Sequence, residues 1–246
     1  MLKSFMKKII TLLGIDKSKL FIVIMEKRKD ILLKDRKERF KKYGKKCLES
    51  TKSSFDSLNI DFWLDFGTLL GAVREKDFIQ HDLDLDIGLY YNQRNEKLEE
   101  TLIAHGLNKV REFRADGKVV EETYTLNGAD IDIFYYFYDE KELWSYFFYY
   151  NDLKEIKSIY KDNKVYTTGW KSKKTTLTNR GLSKLNFKGK EYSVPKYPEK
   201  YLFENYGEDF MIKQKKWDYV NSQTNVSDIE FNEVLCVSYT QEELYN

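Results

Sequence analysis

Asp82, Asp84 and Asp86 alternate with Leu83, Leu85 and Ile87. In an extended strand alternate side chains share a face, so the three carboxylates point one way while the apolar residues enter a core. Neighbouring carboxylates then stand about 6.6 Å apart, twice the rise per residue. That spacing lets Asp84 and Asp86 converge on one divalent ion, or on two ions about 4 Å apart. Three like charges in a row are costly unless a cation neutralises them. Hard oxygen donors favour Mg²⁺ or Mn²⁺ over zinc. The stretch Ala129-Asp130-Ile131-Asp132-Ile133-Phe134 repeats the alternation in an expected neighbouring strand. Asp132 there either closes the metal site from the side or takes the proton of an attacking hydroxyl.

Upstream, Gly67 and Thr68 fall where a strand turns into a helix. Glycine there lets backbone approach a phosphate, and a helix N-terminus offers free N–H groups. Arg74 and Lys76 follow that helix, placed to neutralise phosphate oxygens. With His81 and Asp82, these residues form the expected substrate-binding set around a metal site of Asp84, Asp86 and Asp132. The parts together describe phosphoryl transfer by positioning and charge neutralisation. A bland reading also exists: an alternating Asp strand is sometimes a solvated edge face that discourages aggregation. The glycine turn before it and the Asp pair after it weigh against that. His105 reads as a helix-face residue and Tyr146–Tyr150 as a packed strand.

The elements that must hold these residues are legible from periodicity. Strands are expected over 59–66, 82–90, 107–114, 118–126, 129–138, 143–150 and near 185–194. Helices are expected over 68–74, 93–105 and 197–206. Residues 26–57 are charged and proline-free and read as a helix whose last part (Cys47, Leu48, Thr51, Phe55, Leu58) packs on the body. Residues 1–13 place Leu2, Phe5, Met6, Ile9 and Leu13 on one helical face with lysines elsewhere. Two readings fit this basic amphipathic segment: a peripheral membrane contact through residues 1–25, or packing on the body or a partner.

Bulk properties narrow the class. The 246 residues fit one domain plus an appendage, and 16% aromatics suit strands. Cys47 and Cys236 match no zinc spacing, which suggests a reducing cytosol. The net charge of +2 hides an asymmetry: residues 1–52 carry 17 basic and 6 acidic residues, the rest 25 basic and 34 acidic. A basic arm on an acidic body argues against a nucleic-acid-binding main surface. The longest early apolar run, Leu20–Met25, is too short to span a bilayer, and no secretory cleavage site follows. A cytoplasmic protein, peripheral at the inner face of the membrane through its arm, is the expectation.

GTLLGAVREKDFI (67–79), DLDLDIG (82–88), DIDIF (130–134) and VPKYPEKYLFENYG (194–207) resemble the LicD/fukutin family of phosphotransferases. The resemblance runs from about 58 to 210. It implies an α+β nucleotidyltransferase-like mixed sheet flanked by helices, as a catalytic domain at 58–246 behind a basic helical arm at 1–57. It places the family's glycine signature on Gly67-Thr68, its metal-binding Asp-x-Asp on Asp84 and Asp86, and its third carboxylate on Asp132. It implies transfer of phosphocholine, phosphoethanolamine, glycerol phosphate or ribitol phosphate from a CDP-linked donor to a cell-surface glycan, lipid-linked or free, with release of CMP. Such products decorate lipopolysaccharide, teichoic acid or capsule. The chain departs from the family's usual Trp-Asp-Asp-Asp with His81-Asp82-Leu83-Asp84. Two competing readings stay open: a nucleotidyltransferase adding an NMP group to a protein, small molecule or RNA, and an inactive family member that binds a glycan or partner.

Overall fold

The computed structural model describes residues 17–214, 218 and 220–239, with side chains from residue 30 onward. The helix expected over 1–13 lies outside the described residues, and the membrane contact expected for 1–25 depends on side chains that do too. A 41-residue helix, α1 (Lys17–Ser57), leads into the body. Its later turns bury Phe40, Cys47, Leu48, Thr51, Ser54 and Phe55, a set that recurs at helical spacing and so forms one apolar stripe. Phe40, Cys47, Leu48 and Phe55 belong to the main hydrophobic cluster of the protein, so the second half of α1 is part of its core.

The body is a mixed sheet with few helices. Its elements are β1 (Phe62–Leu64), α2 (Phe66–Leu70) running into a π turn (Gly71–Glu75), β2 (Asp84–Tyr90), α3 (Lys97–Ala104), β3 (Asn108–Ala115), β4 (Lys118–Leu126), β5 (Ala129–Tyr138) and β6 (Glu142–Tyr149). Then come β7 (Lys157–Lys161), β8 (Lys164–Thr168), β9 (Lys171–Thr178), β10 (Leu182–Phe187), β11 (Lys190–Pro195), α4 (Pro198–Tyr206), β12 (Val226–Ile229) and β13 (Val234–Tyr239). The strands run in the order β10-β11-β1-β2-β5-β4-β3-β13-β8-β7. From the end of β5 the chain branches into a second layer, with β6 paired to β5 and β9, and β9 to β12. The pairs β1–β11 and β2–β5 are parallel, while β4 and β3 return antiparallel. Asp116-Gly117 and Asn127-Gly128 have positive φ at both residues, as tight hairpins linking β3 to β4 and β4 to β5 require. No helix among the described residues is long and apolar enough to cross a membrane.

The structure corrects several boundaries. The strand expected over 59–66 shrinks to β1, because the side chain of Asp65 accepts the Phe66 N–H and caps α2. The strand expected from Asp82 begins at Asp84. The single strand expected near 185–194 is the hairpin of β10 and β11, turned at Lys188-Gly189. Strands β7, β8, β9, β12 and β13 were not foreseen.

One packing contact fixes the register beneath the site. Trp63 is fully buried against Tyr90 and Tyr136, and it lies opposite Gly88 on β2. A Cβ on Gly88 would stand 2.1 Å from the indole ring. Gly88→Ala is therefore expected to cost about 3 kcal/mol, the upper end of overpacking, measured by chemical denaturation. An unchanged stability would show that the indole does not cover Gly88.

Candidate active site

The parallel pairing of β2 and β5 sets the geometry. Asp84 lies opposite Asp130 and Asp86 opposite Asp132, so four carboxylates share one face of two adjacent strands. Leu85, Ile87, Ile131 and Ile133 on the other face are fully buried, which anchors the register. Asp82 is outside the strand, yet its carboxylate joins the group. A Cβ on Gly67 would stand 2.8 Å from Asp82 Oδ2 and 3.1 Å from Asp86 Oδ2, so these carboxylates lean over a position that only glycine leaves open.

The turn at Gly67 orients carboxylates, and its amides are already engaged. Phe66 N donates to Asp65, and Gly67 N donates to Asp86 Oδ2 at 3.0 Å. Thr68 is buried and accepts the Asp86 N–H through Oγ1 at 2.8 Å. Phe66 sits at φ 35°, a costly backbone state for a residue with a side chain, of the kind that gathers at functional sites. Asp65 holds the turn from below, accepting the Tyr201 hydroxyl at 2.9 Å.

Gly67, Arg74, His81 and Asp82 line one cleft, with Tyr206 and Phe210 in its wall. The cleft holds about 540 Å³, counting its open mouth. The structure does not bring Arg74 and Lys76 to the carboxylates as free cations. Arg74 donates to the Phe210 carbonyl at 3.0 Å and to Glu75 at 3.1 Å, which ties the π turn to the segment after α4. Lys76 is exposed at the end of that turn and is not part of the cleft lining. Arg74 still acts on Asp82 across the cleft, opposing the effect of burial, and other cations meet the strand acids. Arg36 of α1 stands 3.3 Å from Asp130, and Arg111 of β3 stands 3.7 Å from Asp132. Arg111 also donates to Glu121 and to Thr123, each at 3.1 Å, and Thr123 donates to Asp132. Sequence reasoning missed Arg36, Arg111, Thr123 and Glu121. Asp130 carried a signal, as the partner of Asp132 in its alternation, and Tyr206 lay within the 194–207 motif without being given a role.

Burial pushes the Asp84 carboxyl up to about 7, with help from Asp132 and Asp82, and pushes Asp82 and Asp65 each up to about 6. Burial likewise holds Asp86 well above the ordinary range, with Asp84 and Asp132 adding to it, and raises Asp132. Glu121 is raised to about 7 by burial, against the pull of Arg111. Each group is harder to ionise folded than unfolded, so each favours the fold while protonated. Asp65, Asp82, Asp84 and Glu121 lose that contribution as pH rises through about 6 to 7, and Asp86 and Asp132 act in the same direction. Metal-free protein is therefore expected to melt at a higher temperature at pH 5 than at pH 8. Scanning calorimetry in EDTA checks this. A midpoint that falls steadily from pH 8 to pH 5 would show that the carboxylates are not buried together.

Acids of this kind, all oxygen donors and mutually repelling, form a set suited to a hard cation. Among the described residues no three carboxylate, imidazole or thiol groups already converge on one ion position, since Asp86 faces the Gly67 amide and Asp132 faces Thr123.

Residues 59–197 match the family model for the LicD/FKTN/FKRP nucleotidyltransferase domain. The chain belongs to this family. Ribitol-5-phosphate transferase FKTN of Homo sapiens is 24% identical over 191 residues, covering 76% of this chain and 37% of its own length. The Mus musculus protein of the same name is 26% identical over 192 residues, with the same coverage. An uncharacterized protein of Rickettsia prowazekii, RP689, is 43% identical over 63 residues, 22% of this chain and 24% of its own. The chain thus spans only about 37% of the length of the FKTN relatives it matches. The family match contains every carboxylate of the site and Arg111, whereas Tyr206, Phe210 and β13 lie beyond it.

Proposed function

We propose that this LicD-family chain has a nucleotidyltransferase-like fold and transfers a substituted phosphate from a CDP-linked donor to a glycan hydroxyl, releasing CMP. The observation that carries the reading is the parallel register Asp84–Asp130 and Asp86–Asp132 beneath the Gly67 turn. The name of the FKTN relatives makes ribitol 5-phosphate the first substituent to try.

Asp84 and Asp86 would hold Mg²⁺ or Mn²⁺, with Asp132 beside them on its hydrogen bond from Thr123. When bound, the ion supplies neutralisation of phosphate charge and Lewis-acid polarisation. In the transfer, the acceptor oxygen bonds to the distal phosphorus of the donor. The bond from that phosphorus to the bridging oxygen breaks, and the bridging oxygen leaves with CMP. The proton of the acceptor hydroxyl goes to a carboxylate oxygen of Asp132, which Thr123 orients by donating a hydrogen bond. The Gly67 amide and the Thr68 hydroxyl keep Asp86 in place through both of its ends. Tyr206 and Phe210 form the cleft wall beside Asp82.

A screen for CMP release across CDP-choline, CDP-ethanolamine, CDP-glycerol and CDP-ribitol, each with Mg²⁺ and a glycan acceptor, tests the proposal. One donor should be turned over well above the others. Release of pyrophosphate from CTP, with no CMP from any CDP donor, would replace it with nucleotidyl transfer.

A further inference from the structure

We propose that Arg111 receives the substrate's phosphate, the part that the sequence assigns to Arg74 and Lys76. The identity of the anion rests on the transfer reaction proposed above; the choice of residue rests on the sheet. Asp86, Asp132, Thr123 and Arg111 lie directly opposite one another across β2, β5, β4 and β3, forming one row on one face. A register shift in β3 puts Arg111 there. Lys109 faces Tyr124, so an unbroken ladder would set Val110 opposite Thr123; the bulge delivers Arg111 instead. Bulges that re-aim a side chain gather beside active sites.

The guanidinium reaches back along that row to Asp132, held by Thr123 and Glu121. Its Nε–H is buried and has no hydrogen-bond partner. Unpaired buried donors are rare in folded proteins, and here the donor belongs to a side chain that is still 36% exposed. A guanidinium presents a planar fork matched to phosphate oxygens. Arg74 has no such freedom, being 7% exposed and committed to Glu75 and the Phe210 carbonyl. The other cation near Asp132, Arg36, is already paired with Asp130 at 3.3 Å. Glu121, itself 6% exposed, is the countercharge that keeps Arg111 in place while the site is empty.

Calorimetric titration of CDP and of cytidine, both with Mg²⁺, tests the assignment in three variants of the full chain. Arg111→Gln should weaken CDP by tenfold or more and leave cytidine unchanged, because only CDP carries the anion. Arg111→Lys should recover part of the loss, since a point charge lacks the fork. Glu121→Gln removes the countercharge and should leave CDP affinity equal to wild type or tighter. Equal weakening by Arg111→Gln and Glu121→Gln, or no change with Arg111→Gln, would reduce the pair to a structural ion pair and overturn the proposal. Should Arg111→Gln fail to fold by circular dichroism, Arg111→Lys carries the test, and wild-type affinity for CDP overturns it. If wild type binds neither CDP nor cytidine, the proposed reaction fails on its own. Inorganic pyrophosphate then decides for Arg111: binding that Arg111→Gln weakens sustains the assignment, and binding that it leaves alone, or no binding, overturns it.

Discussion

Asp86→Asn is expected to lower turnover at least about a hundredfold while raising the melting temperature of the metal-free protein at pH 8. The two effects have one cause. The Asp86 carboxylate is buried beside Asp84 and Asp132, and burial with their repulsion holds its proton well above the ordinary range. Removing the charge relieves the fold, and Asn keeps an oxygen to accept the Gly67 N–H. Removing it also deletes a ligand to the proposed cation, which should cost several kcal/mol of transition-state stabilisation at tenfold per 1.36 kcal/mol. Asp84→Asn should behave alike. Steady-state rates at saturating Mg²⁺ together with scanning calorimetry decide the matter. Turnover above about a tenth of wild type in either variant would remove these residues from the reactive centre.

Asp132→Asn should separate binding from chemistry. Its rate is expected to fall about 10²–10⁴-fold, the usual loss for a general base. An Asn oxygen still accepts from Thr123, so the row from Asp86 to Arg111 stays aligned. Donor affinity in the presence of Mg²⁺ should then remain close to wild type by calorimetry. Loss of donor binding along with activity would make Asp132 a metal ligand before anything else.

The carboxylates were legible in the sequence because their spacing is that of a strand, and a strand fixes which side chains share a face. Leu85, Ile87, Ile131 and Ile133 reinforced the reading, since their burial leaves the aspartates one direction to point. Asp82 was grouped with the other carboxylates for the wrong reason. It stands before the strand and joins the group because the loop folds it over Gly67. The cations were not legible. Arg74 follows the glycine turn in sequence, but the segment after α4 folds back and captures it through the Phe210 carbonyl. Arg111 reaches the site through a bulge in β3 and two successive strand pairings, and no local pattern encodes either. The hairpin and strands of 157–178, rich in Lys and Thr, lack the apolar alternation that marked β2 and β5. They form because β9 pairs with β6 and β12, and β8 with β13, which are long-range contacts.

Which bond to phosphorus breaks decides between phosphate transfer and nucleotidyl transfer. Phosphorus NMR of the protein with its preferred CDP-linked donor, Mg²⁺ and acceptor glycan reads this directly. The donor's two diphosphate signals should give way to CMP and a new phosphodiester on the glycan, one for one, and EDTA should stop the change. Pyrophosphate with a CMP-modified acceptor, or free alcohol phosphate formed equally fast without acceptor, would contradict the assignment of this carboxylate row to phosphate transfer onto a glycan.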